Sequence, residues 1–176
     1  IYHMSDPDSP RAKESFWRDD WGCLWHFPGM YLDGVVEEHP LQSWDALATW
    51  SPPDVGLRLE AIRAQMAAVR DAGQPPPGAG FEHGFLFLRL SYLRGFNNLM
   101  MDIADRDPRL FELCDVITEY WYQIARAHLE GGAMSIGAAD DLGLQDRLPI
   151  SPAAWRELIK PAYARIFGMA RERGAS

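Results

Sequence analysis

Cysteine is scarce in this chain. Cys23 and Cys114 are its only two in 176 residues, far apart and without a signal peptide ahead of them. A disulfide scaffold is therefore not expected, and a reducing, cytoplasmic setting is. Long apolar runs are missing too: none approaches the roughly 18 residues of a membrane span. Positive charge is in deficit, with 17 Lys and Arg against 25 Asp and Glu and a net charge of -8. No basic stripe remains to neutralise phosphates, which argues against nucleic acid and an anionic membrane surface as partners. A small molecule or a protein is the expected partner. The Gly-x-Gly-x-x-Gly turn of dinucleotide-binding folds is also absent.

What is present suits one globular domain. An apolar fraction of 47% with 24% charged residues excludes disorder and fibrous classes. Residues 1–16 read as a polar leader, and Ile1-Tyr-His-Met opens without an initiator methionine, so the chain is expected to be a piece of a longer protein. Residues 17–80 read as a strand, turn and helix region, and 81–176 as βα units.

Five tryptophans, Trp17, Trp21, Trp25, Trp44 and Trp50, fall among short segments broken by Gly22, Pro28, Gly29 and Gly34, with Val35-Val36-Glu37 a strand. From Asp54 to Ala72, Leu59, Ile62, Met66 and Val69 recur on one helical face, Asp54 being the cap and Gly73 the stop. Gln74 to Gly80 reads as a loop. Phe85-Leu86-Phe87-Leu88 is a short continuous apolar run, the pattern of a strand buried on both faces. A helix over Tyr92 to Ala104 follows. Asp107-Pro108 then opens a long helix by supplying a cap and a pre-set first turn, with Leu110, Leu113, Cys114, Ile117, Tyr120, Trp121, Ile124 and Ala125 as its stripe. Ala133 to Ala139 reads as a second buried strand ending at Asp140-Asp141. Ser151-Pro152 opens the last helix, where Pro161 should force a kink. Strands alternating with helices indicate βα units of a parallel sheet, barrel or doubly wound.

The segment Leu90-Ser-Tyr-Leu-Arg-Gly-Phe-Asn-Asn-Leu-Met-Met-Asp102 and the segment Asp140-Asp-Leu-Gly-Leu-Gln145, with Ile150-Ser-Pro and Ile159-Lys-Pro-Ala-Tyr163 after them, resemble uroporphyrinogen decarboxylase-type proteins. Asp20-Trp-Gly-Cys-Leu-Trp25 and Val36-Glu-Glu-His-Pro-Leu41 extend the likeness over most of 17–174. It is nearest the corrinoid-dependent methyltransferase-like members. The resemblance implies an α/β fold, a (β/α)₈ TIM barrel of which this chain holds part, truncated before the later strands. A whole barrel takes about 250 residues. One branch of the superfamily decarboxylates a tetrapyrrole, a lyase reaction of porphyrin biosynthesis, and another moves methyl groups to or from a corrinoid.

In such a barrel, Asp140 and Asp141 follow a strand directly and sit at the catalytic rim, where carboxylates act as acid or base. Successive side chains point opposite ways, so one should face the mouth, Asp140 being the choice here, and the other a loop or an amide. Turn chemistry is the alternative for the pair. Tyr92 and Arg94 are expected near the same rim, with Asn97, Asn98 and Gln145 close by. Arg94 could hold an anionic substrate group bidentately or form an internal salt bridge with one of the aspartates. Trp21 and Trp25 could line a substrate pocket or simply pack.

The methyltransferase branch implies a zinc for the full-length protein and a corrinoid protein as partner. Cys23-x-x-His26 has ligand-like spacing, but His3, His39, His83 and His128 are scattered singly, and structural zinc normally needs four ligands. No metal or other cofactor is assigned to residues of this chain. In the family the zinc ligands fall further downstream. The decarboxylase branch is the competing reading, but its arginine-rich N-terminal segment and its pyrrole-binding aspartate find no counterpart here. A non-catalytic fragment with open sheet edges is the third.

Overall fold

The computed structural model of the chain describes residues 13–30 and 33–176. Of the polar leader expected over 1–16, residues 1–12 lie outside the described residues, and from Glu14 the chain runs in a strand. The chain forms two compact units. One comprises residues up to Pro53 together with Ser91–Leu99, and the other Asp54–Leu90 together with Met100–Ser176.

The first unit is built on a three-stranded antiparallel sheet, β1 (Glu14–Arg18), β2 (Leu24–Pro28) and β3 (Val35–Glu38), in that order. Phe16 pairs with His26 and Trp17 with Trp25, so consecutive aromatic residues fall on opposite faces of the sheet. Trp21 is buried and stacks on Trp50, whose indole N–H donates to the Trp21 carbonyl.

In the second unit, α1 (Val55–Asp71) starts at Asp54, which accepts from the Gly56 amide, and buries Leu59, Ile62 and Met66 of the expected face, with Val69 only half-buried at its end. It packs on α4 (Pro108–Glu130), whose whole expected stripe is buried around a fully enclosed Trp121. Gly131 is required at this crossing, because a Cβ there would lie 2.6 Å from Met66 Cγ. On α4 also packs α6 (Lys160–Glu172), with Ile166 and Met169 inward.

The same unit holds two parallel strands, β4 (Ala79–His83) and β5 (Ile136–Ala139). Here the structure corrects the sequence reading twice. The strand lies at Ala79–His83, beginning in what reads as loop, and the apolar run Phe85–Leu88 leads into helix α2 (Phe87–Arg94). A run buried throughout suits a buried helical turn as well as a strand, and periodicity cannot separate the two. The helix expected over Tyr92 to Ala104 is likewise divided at Gly95 (φ +78°) into the end of α2 and α3 (Phe96–Asp105).

Ser151 opens the last helical stretch by accepting from the Ala154 amide, beginning with a short α5 (Pro152–Ala154). The distortion expected at Pro161 takes the form of a π turn over Trp155–Ile159, in which the Lys160 amide reaches the Trp155 carbonyl. Beyond α6 the chain returns to the sheet. The Ser176 amide donates to Met134 O at 3.0 Å, and the Ile136 amide donates to Ser176 O at 2.8 Å. Ser135 and Ala139 accept from the β4 side, so Ser176 occupies the other edge of β5. Among the described residues no helix is long and apolar enough to cross a membrane.

Candidate functional site

The carboxyl ends of β4 and β5 bring together His83, Asp140 and Asp141. Asp140 follows β5 and turns its carboxylate onto the start of α2. Its Oδ2 accepts from the amides of Leu86 (3.1 Å) and Phe87 (2.6 Å), and its Oδ1 from the amide of Leu88 (2.9 Å). Three consecutive orphan donors of a helix first turn are thereby satisfied by one anion at its positive end. The Tyr163 hydroxyl of α6 donates to the same carboxylate at 3.2 Å. Burial, with the charge and hydrogen bond of Asp140, holds the Tyr163 phenol far above its ordinary range, so it stays a donor.

Of the two aspartates, then, Asp140 serves the amides and Asp141 is the exposed member, the reverse of the side-chain assignment expected from alternation. The physical reason is that the helix entry it caps comes from a segment 54 residues upstream. Asp141 Oδ1 stands 3.5 Å from His83 Nε2. His83 is a residue that sequence reasoning passed over, and the register that pairs it with Ala139, two residues before Asp141, is what brings it here. Gln145 is exposed on the loop after β5.

Beside this end, Glu82 of β4 bridges Arg58 of α1 and Arg89 of α2, the latter at 3.4 Å and with a side chain only 5% exposed. The Arg58 guanidinium also lies 5.7 Å from the centre of the Trp121 ring. On α4, burial and the charge of Arg58 lower the proton affinity of His128. A groove of about 400 Å³ lies between α3 and the start of α5, walled by Met100, Ile103, Pro149 and Ile150, with Arg106 paired to Glu157 at its side.

Tyr92, Arg94 and Asn98 come together in the first unit. Arg94 is buried, donates from Nη1 to the carbonyls of Leu41 and Gln42, and lies 3.9 Å from the centre of the Trp44 ring. Asn98 Nδ2 donates to Gln42 O and Arg94 O at 3.1 and 3.0 Å. Trp25 packs edge-on against Tyr92 and donates its indole N–H to Asp19. Trp21 lies in the core of the unit. Arg94, Asn97 and Asn98 line a cavity of about 280 Å³ with His39, whose Nδ1 donates to Tyr92 O at 2.8 Å.

Cys23 and His26 do not converge on a metal. The Cys23 thiol is buried and donates to Tyr92 O, while the His26 ring is bracketed by Glu14 and Glu37 at 3.0 Å each. Among the described residues no group of three or more His, Cys, Asp or Glu is placed to hold a metal ion. The described residues do not fit the zinc of the methyltransferase branch.

The uroporphyrinogen decarboxylase (URO-D) sequence model matches residues 22–175. The chain belongs to that family. Among solved structures, a methyltransferase from Methanosarcina mazei shares its fold with a TM-score of 0.56 at 23% identity, over 85% of this chain and 44% of that one. The chain thus spans less than half the length of that methyltransferase. A search of curated proteins returns no match. Family membership and the fold likeness establish a mixed α/β member of an enzyme family.

Proposed function

We propose that the chain is part of a (β/α)₈-barrel enzyme that transfers a methyl group to or from a corrinoid protein, with its active face at the carboxyl ends of β4 and β5. The observation that carries this reading is the convergence of His83, Asp140 and Asp141 at that end of a parallel pair, in a chain whose fold is shared with a methyltransferase. Barrel enzymes place their chemistry there.

In this reading Asp140 is a positioning group that fixes the entry of α2 beside the site, and Asp141 is the carboxylate available to substrate. Arg94 and Asn98 shape the first unit by binding backbone carbonyls, Tyr92 lends its ring and carbonyl to the same packing, and Gln145 on the loop after β5 is an expected substrate contact. The substrate is a small molecule, and zinc and the corrinoid partner belong to the full-length protein.

The full-length protein offered methylcobalamin as methyl donor and 2-mercaptoethanol as acceptor should release cobalamin, seen in the visible spectrum, and form the methyl thioether. Carbon dioxide release from uroporphyrinogen, with methylcobalamin left untouched, would instead assign the chain to the decarboxylase branch.

A further inference from the structure

We draw no further inference here: the strongest candidate, the apolar groove of about 400 Å³ between α3 and the start of α5, walled by Met100, Ile103, Pro149 and Ile150, carries nothing, because nothing in the structure shows what covers it.

Discussion

The Tyr163 hydroxyl donates to Asp140 at 3.2 Å and so ties α6 to the carboxylate that caps α2. One aspartate therefore joins β5 and two helices of the second unit. Phe85, which packs edge-on against the Tyr163 ring at 5.1 Å, closes the same corner from the apolar side. Removing the hydroxyl alone, in Tyr163→Phe, should cost about 1.5–3 kcal/mol, the worth of one hydrogen bond to a charged group. Urea unfolding followed by tryptophan fluorescence measures it, and an unchanged midpoint would mean that water replaces the hydroxyl.

Arg94→Lys should destabilise the chain by about 1–2 kcal/mol, although the charge is kept. A lysine cannot donate to two carbonyls in the plane of a guanidinium and stack on Trp44 at once. A melting temperature equal to that of the wild type would show that charge alone matters there.

The Cys114 thiol should resist alkylation in the folded state up to high pH. Burial, and then the charge of Asp115, push it up to about 12, while it donates to Leu158 O at 3.4 Å. Its folded value is raised above the ordinary one, so unfolding is favoured as pH climbs from about 9, where an exposed thiol ionises. Iodoacetamide labelling read by mass spectrometry should find Cys114 unmodified at pH 8. Rapid labelling of the native protein would contradict its burial.

His128 gives stability the opposite pH dependence. Burial and Arg58 lower its proton affinity in the folded chain, so below about pH 6.5 the unfolded state binds the proton first. The contribution is complete above that pH and is lost as pH falls. Between pH 7.5 and 5, wild type should lose more stability than His128→Gln, measured as urea midpoints. Parallel losses would show that the ring titrates alike in both states.

Local signals carried much of the fold. Asp54, Asp107 and Ser151 mark three helix starts because a cap acts within three residues of itself, and the stripe of α4 is buried as its spacing requires. The start of α2 was not legible, because its cap is Asp140, 52 to 54 residues further on. The same distance in sequence hides the site. His83 and Asp141 meet through the β4–β5 register, and Arg94 meets Leu41 and Gln42 more than fifty residues away. Asp140 and Asp141 are legible as candidates because they stand directly after a strand, yet their roles depend on which amides approach, and no periodicity encodes that.

The most direct test of the account is to compare Asp140→Asn with Asp141→Asn in the full-length enzyme, measuring both methyl transfer from methylcobalamin and thermal stability. Asp140→Asn should lose roughly 1–3 kcal/mol of stability, because only one of its two polar atoms can still accept and the other, an NH₂, faces an N–H donor of α2 and leaves it unpaired. Asp141→Asn, at an exposed carboxylate, should keep its melting temperature and lose turnover by about a hundredfold. Full activity in Asp141→Asn, with the loss confined to stability in Asp140→Asn, would contradict a catalytic face at the carboxyl ends of β4 and β5.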